Sequence, residues 1–305
     1  LDFINVFIII ALISLIAYFI YLIARSKNIS EGFEDTNTFI ITVPYGDNLY
    51  YSIDQTKISD GGRILKLNKQ GTYIFYFPDG LKVKDFTLII EKDNITIDGK
   101  NECITINDNT HGFIQNGRRT LRGKANITLQ NINVKINGNI KDGGICQGYF
   151  GRGAKNNIIK NCSVTALNNS VDTYIGVGGI CGENCGSNNG TLAIISCYYN
   201  GNISVAGGGI CGQLSGSIGG NLSIISCYSN GTKYGFSGGI CGEGCGVGKG
   251  NVSIISCYSI GNIKDGGGIC GRHCAGGVSS EEGGNVLIMS CYSKGDIIRE
   301  LNQRH

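Results

Sequence analysis

GGICGEGCGVGKGNVSIISCYSIGNI, Gly238 to Ile263, places glycines, cysteines and a lysine in an order compatible with a phosphate loop, a metal site or a structural repeat. Its neighbours decide between them. GGIC stands at Gly143 to Cys146, Gly178 to Cys181, Gly208 to Cys211, Gly238 to Cys241 and Gly267 to Cys270, in steps of 35, 30, 30 and 29 residues. A second word, SCY, ends at Tyr198, Tyr228, Tyr258 and Tyr292, and a glycine follows each time at Gly201, Gly231, Gly261 and Gly295. The unit is therefore a strand such as NVSIISCYS, a glycine turn, a short strand leading into GGIC, and a Gly-rich loop, longest in GRHCAGGVSSEEGG. One unit carries too few apolar residues for a core of its own. Stacked edge to edge at about 4.8 Å, successive units pair their backbone groups and share one interior. The spacing predicts a solenoid of parallel strands with glycine at each corner, where a positive φ is needed.

Composition agrees with that reading. The chain has 305 residues, of which 49 are glycine and only 2 proline, which excludes a Pro-rich disordered segment, and the glycines lack the period of collagen. Apolar residues make up 41%, enough to bury a core. The formal charge of +3 is scattered rather than gathered, so the sequence carries no electrostatic footprint for a nucleic-acid partner.

Phe3 to Ala24, FINVFIIIALISLIAYFIYLIA, is uncharged and as a helix spans about 33 Å, matching a hydrocarbon core of about 30 Å. It predicts one N-terminal transmembrane α-helix that engages a lipid bilayer. A signal peptide fits less well, because the run is long, no basic region precedes it and no small-x-small site follows. Arg25 and Lys27 after the span and Asp2 before it place the C-terminal part on the cytosolic side. The expected organisation is an anchor at 1–27, a polar linker at 28–38, a β cap region at 39–79, the parallel solenoid at 80–296 and a charged tail at 297–305 that blunts its end. No helical period occurs beyond the span, so the rest of the chain reads as all-β.

The GGIC-G and I-SCYS-G-I words resemble the GLUG repeat over about Asn126 to Gly295, and ITIDGKNECITI is similar to early turns of right-handed parallel β-helices of the pectin-lyase-like type. The resemblance implies an all-β, right-handed parallel β-helix solenoid and a scaffold role, since such repeats belong mainly to surface and adhesin-like proteins. The Ile- and Asn-heavy wording also resembles proteins of AT-rich large DNA viruses.

Fourteen cysteines raise metal and disulfide chemistry. Most fall into two columns: Cys162, Cys197, Cys227, Cys257 and Cys291, and Cys146, Cys181, Cys211, Cys241 and Cys270. In the unit before Cys162, NINVKINGNI, the expected alignment sets Val134 where the first column has Cys. A position that accepts valine is used for volume, so both columns are expected to be inward core ladders. Cys185, Cys245 and Cys274 form C-x3-C pairs with the second column, but Ser215 interrupts them and the spacing is not that of zinc ligands, so no metal or cofactor is expected. Disulfides between adjacent rungs stay open, because equivalent Cα atoms about 4.8 Å apart are within bonding range and the compartment decides. The phosphate-loop reading of GVGKGN fails because Gly250 follows Lys249 where Ser or Thr is needed.

Tyr198, Tyr228, Tyr258 and Tyr292 form an expected aromatic stripe. It is either a cross-rung stack or a platform for a protein partner or a glycan. Between Gly143 and Gly295 the acids are few, and the position two past the GGIC cysteine runs Gly148, Glu183, Gln213, Glu243, Arg272. That order predicts a hydrogen bond from Gln213 to Glu183 and a salt bridge between Glu243 and Arg272, with no second acid beside either glutamate. No catalytic residue is expected. Asn-x-Ser/Thr sequons at Asn94, Asn126, Asn202, Asn221 and Asn251 follow from the repeat itself. The sequence reads as a single-pass, membrane-anchored structural scaffold that offers a rigid face to capsid or other structural proteins, within a virion whose inner membrane underlies a protein shell. The alternative is a glycan-binding adhesin-like rod, and third a polysaccharide lyase or hydrolase.

Overall fold

The computed structural model describes residues 38–42, 51–52, 64–76, 87–106, 111–167, 175–276 and 282–298. The expected membrane span at Phe3 to Ala24, residues 28–37 of the linker, much of the 39–79 region and residues 299–305 lie outside the described residues. Among the described residues no helix is long and apolar enough to cross a membrane.

Four walls of strands build the solenoid. The longest is a ten-stranded sheet in which Thr38–Thr42, Gly71–Tyr76, Ile95–Asp98, Ile127–Gln130, Asn157–Lys160, Thr191–Ile195, Asn221–Ile225, Asn251–Ile255 and Asn285–Met289 pair in parallel, each with the equivalent strand one unit away. Tyr51–Ser52 closes its N-terminal edge antiparallel. A seven-stranded wall runs from Cys103–Ile106 to Tyr292–Lys294. A third joins Lys233–Tyr234, Ile263–Lys264 and Ile297–Ile298, so the first two residues of the expected tail belong to the stack. The fourth begins as Ile64–Leu67, Thr87–Ile90 and Ile114–Gln115 and continues as single parallel bridges from Ile114 through Cys146, Cys181, Cys211 and Cys241 to Cys270. The GGIC words are thus the later rungs of a wall that starts as ordinary aliphatic strands.

Register follows from alternation. In Asn221–Ile225 and Asn251–Ile255, Leu222 pairs with Val252 and Ile224 with Ile254, all buried, while the residues between them face outward. A slip of one residue would put every one of these aliphatics in water. A second restraint comes from side chains: Asn285 donates to Asn251 at 2.9 Å and Asn251 to Asn221 at 3.0 Å, and a similar ladder joins Asn156, Asn126 and Asn94. These ladders use the amides of four expected sequons, at Asn94, Asn126, Asn221 and Asn251.

Glycine takes the corner after SCY, where Gly231, Gly261 and Gly295 have φ of 156°, 106° and 151°, but the expectation of glycine at every corner is corrected. At the bend between the ten- and seven-stranded walls the left-handed residue is Asn131, Asn161, Ser196, Ser226, Ser256 or Ser290, with φ between 52° and 57°. Asparagine and serine tolerate this region through local hydrogen bonding. The glycines of GGIC answer a different need, close approach. A Cβ on Gly239 would collide with the Ser259 side chain and the Gly268 carbonyl, and one on Gly179 with the Tyr199 ring.

One inward position breaks the apolar rule. Lys233 occupies the column of Ile203, Ile263 and Ile297 and is wholly buried, with its Nζ donating to the carbonyls of Gly261 at 2.8 Å and Ile260 at 3.0 Å. Burial lowers its pKa to about 8. Between about pH 8 and the unfolded value near 10.4 the unfolded chain therefore holds more protons, and stability rises with pH across that window. Lys233→Ile is expected to raise stability at pH 7 by about 1–2 kcal/mol, less than the full shift implies because Gly261 loses a donor. Urea melts at pH 7 and pH 10.5 check this: the parent's alkaline gain, taken relative to the variant, should vanish in Lys233→Ile.

Candidate functional site

The tyrosine stripe is assembled as a stack. Tyr198, Tyr228, Tyr258 and Tyr292 open consecutive strands of the seven-stranded wall and pair directly across rungs. Ring centroids are separated by 4.0, 4.8 and 5.2 Å, with interplanar angles of 25°, 8° and 4°. Each pair contributes about 0.5–1.5 kcal/mol beyond its buried area. Because the rings lie face to face, the inner faces are used up, and the side of the wall presents ring edges and phenol oxygens. The neighbouring Tyr199 points the other way and is wholly buried, with its hydroxyl donating to the Asn202 carbonyl at 2.9 Å.

Both cysteine columns lie inward. Cys162, Cys197, Cys227 and Cys257 are buried and Cys291 is partly so; Cys146, Cys181, Cys211 and Cys241 are buried and Cys270 is partly so. The proposed alignment of Val134 with Cys162 is wrong by two residues: Val134 pairs with Val164 and Asn133 with Ser163, which sets Ile132 in register with Cys162. Ile132 is 2% exposed, so an aliphatic residue does stand in that column, and Ile114 plays the same part in the other. The first column also does more than fill volume. The backbone N–H groups of Cys197, Cys227 and Cys257 each donate to the sulfur of the next rung at 3.3–3.4 Å. All fourteen cysteines are free thiols.

The C-x3-C cysteines join the second column. Cys185 and Cys245 are wholly buried and Cys274 partly so, while Cys103 is exposed. The sulfurs of Cys211, Cys241 and Cys245 all lie within 4.8 Å of one another, with Cys211 and Cys241 at 3.6 Å. Hydrogen bonds from Cys241 and Cys245 pull the Cys211 thiol down, whereas burial pushes Cys146, Cys181 and Cys185 up.

On the outer surface two expected contacts form. Gln213 Nε2 donates to Glu183 Oε2 at 2.8 Å, and Arg272 Nε to Glu243 Oε1 at 3.1 Å, with the Arg272 guanidinium also 3.8 Å from the Phe236 ring centroid. The expectation that no second acid accompanies Glu183 is overturned. Asp142 directly precedes the GGIC word at Gly143, and its Oδ1 accepts the Gly148 N–H at 2.9 Å. A Cβ on Gly148 would meet Asp142 Oδ1 at 2.7 Å and Glu183 Cγ at 3.3 Å, so the two side chains share one niche. The Tyr149 hydroxyl donates to Glu183 as well. Burial, reinforced by the Glu183 charge, raises the Asp142 carboxyl to about 7 against the hydrogen bond from Gly148.

A carboxyl that keeps its proton near neutrality beside a clamped carboxylate is a pairing used in acid–base chemistry. Here Asp142 Oδ1 and Glu183 Oε2 each already have a protein donor. Lys249, the residue of the rejected phosphate loop, forms an exposed ion pair with Glu282 at 2.8 Å.

Because the folded pKa of Asp142 is raised, the folded chain holds the extra proton between about pH 4 and 7, and stability falls as pH rises through that window. Asp142→Asn keeps an oxygen for Gly148 N–H and removes the charge. Its unfolding free energy should exceed the parent's by about 2 kcal/mol at pH 8 and match it at pH 4, after allowance for partial exposure; denaturant melts across this range check the convergence.

The chain matches no protein-family model, no curated protein and no solved structure.

Proposed function

We propose that the protein is a membrane-tethered structural scaffold whose solenoid presents a rigid tyrosine-edged wall to protein partners. The observation that carries this reading is the stacked ladder of Tyr198, Tyr228, Tyr258 and Tyr292, which turns a stack of rungs into one ordered surface with phenol oxygens at the rung spacing. Tyrosine is favoured at protein interfaces because it offers a large apolar body and a polar tip at small entropic cost. A sugar ring prefers an open aromatic face, and here the faces between rungs are covered by the neighbouring tyrosines. That geometry favours a protein partner over the glycan-binding alternative.

The tether is Phe3 to Ala24, long and apolar enough for a bilayer, with Arg25 and Lys27 directing the solenoid to the cytosolic side. The solenoid winds right-handed, as nearly all parallel crossover connections do. Its wording resembles GLUG repeats over about Asn126 to Gly295, and a place beneath the protein shell of a membrane-containing large DNA virus, against capsid or other structural proteins, suits both anchor and scaffold.

Flotation of vesicles carrying the full chain tests the tether. The parent should float with lipid and a deletion of residues 1–27 should stay in the soluble fraction; a parent that remains soluble without detergent overturns the assignment. In sealed vesicles, protease added outside should spare the solenoid. On a glycan array, specific binding abolished by Tyr228→Ala and Tyr258→Ala would move the protein into the adhesin class.

A further inference from the structure

We propose that Cys211, Cys241 and Cys245 form an all-sulfur binding site for a thiophilic d10 metal ion, Cu(I) or Zn(II), inside the solenoid. Among the described residues this is the one group of three ligating side chains whose donor atoms all lie within 4.8 Å of one another. Every member is wholly buried. Around an ion bonded to sulfur at about 2.3 Å, ligand sulfurs are separated by roughly 3.8–4 Å; the 3.6 Å between Cys211 and Cys241 and the 4.8 Å limit on the rest require only small side-chain rotations.

The repeat explains why the group forms here. Cys211 and Cys241 are bridged neighbours in the GGIC wall, and the turn after Cys241 brings Cys245 back over the same space. In the rung of Cys211 the position equivalent to Cys245 is Ser215, and its Oγ is occupied in accepting the Cys185 N–H at 3.3 Å. Cys245 is thereby left to face Cys211 as well as its own rung.

The donor set selects the ion class. Three sulfurs with no nearby imidazole or carboxylate in the group suit soft ions, and thiolate ligands select Cu(I) and Zn(II) over hard cations such as Mg(II) and Ca(II). On binding, thiols release their protons to solvent and each contributes a lone pair to the metal, with no change of oxidation state. A three-sulfur sphere satisfies Cu(I) as it stands. Zn(II) needs a fourth ligand, and Cys274, next along the C-x3-C line and hydrogen-bonded to Cys245, is the thiol placed to supply it.

Because the site is closed, loading accompanies folding. The full chain in detergent is unfolded, reduced anaerobically and refolded with one equivalent of Cu(I) or, separately, of Zn(II), and bound metal is measured after gel filtration against a competing chelator. Cys245→Ser reproduces the serine that the neighbouring rung already tolerates at Ser215, so it retains the fold, and circular dichroism verifies this. Cys103→Ser, at an exposed thiol, is the control. The expected result is about one equivalent retained by the parent and the control, a loss of at least tenfold in affinity in Cys245→Ser, and a higher melting temperature for the loaded parent. Cys274→Ser separates the ions: it should leave Cu(I) retention unchanged and weaken Zn(II). Failure of the refolded parent to retain either ion, or equal retention by Cys245→Ser, overturns the site and leaves the scaffold reading untouched.

Discussion

Rung-to-rung backbone hydrogen bonding is the constraint from which the rest of this structure follows. Each parallel strand donates to and accepts from the equivalent strand one unit away, so whatever stands at one position in one unit stands against its counterpart in the next. Ladders of like residues are the direct consequence: Tyr228 on Tyr258, Asn221 on Asn251, Ile224 on Ile254, Cys211 on Cys241. Like neighbours are favourable for rings that stack, amides that donate and accept in turn, and aliphatics that pack. They are costly for like charges, which explains why the outer position after GGIC alternates Glu183 with Gln213 and Glu243 with Arg272 rather than repeating one carboxylate.

The same constraint accounts for what was legible in the amino-acid sequence. Repeat spacing alone places the tyrosines, both thiol columns and the two outer pairs, because identical words in parallel register have to stack. The glycine turns at Gly231, Gly261 and Gly295 are legible, but the bend between the two long walls is not, because its conformation depends on a single residue's local hydrogen bonding. Ser226 and Ser256 at positive φ look like ordinary strand serines in SIISCYS, and the glycines nearby invite the credit. Ile132 escapes because NINVKINGNI can be aligned in two ways that both put an aliphatic residue in the column, and only the strand pairing, Asn133 with Ser163, decides between them. Asp142 was missed because it precedes the word that defines the unit, and a three-dimensional niche does not respect the edges of a repeat.

Lys233 shows how far the stack tolerates a departure from its own rule. Its aliphatic stem fills the place of an isoleucine, and its ammonium reaches the turn at Ile260 and Gly261, where carbonyls point inward. A charge paired only with carbonyl dipoles is less stable than one facing a carboxylate, and the lowered pKa expresses that difference. Position within the rung therefore matters as much as residue type: the same side chain at Ile224, in the middle of the long wall, would have no carbonyl free to receive it, since the wall's carbonyls are consumed by strand pairing.

Thiols succeed in this interior where either an aliphatic or a hydroxyl would satisfy only half of the demands. The bend after the long wall turns the N–H of Cys197, Cys227 and Cys257 toward the next rung, where a sulfur rather than a carbonyl receives it. The receiving sulfurs, of Cys227, Cys257 and Cys291, lie 3.2–3.3 Å from the carbonyls of Ile225, Ile255 and Met289 two residues earlier, so each of these thiols acts as acceptor and weak donor at once while packing like a small hydrophobe. Isoleucine offers the volume without the acceptor, and serine offers the acceptor with a larger desolvation cost. Cysteine is the compromise, and its repetition follows from the register: once one rung uses sulfur to receive the N–H of its neighbour, the next rung's bend faces the same geometry and the same shortage of carbonyls. A soft-ion site in the second column is then a consequence of composition meeting periodicity, because a chain that stacks thiols at the rung spacing brings sulfurs to ligand distance wherever a turn adds a third.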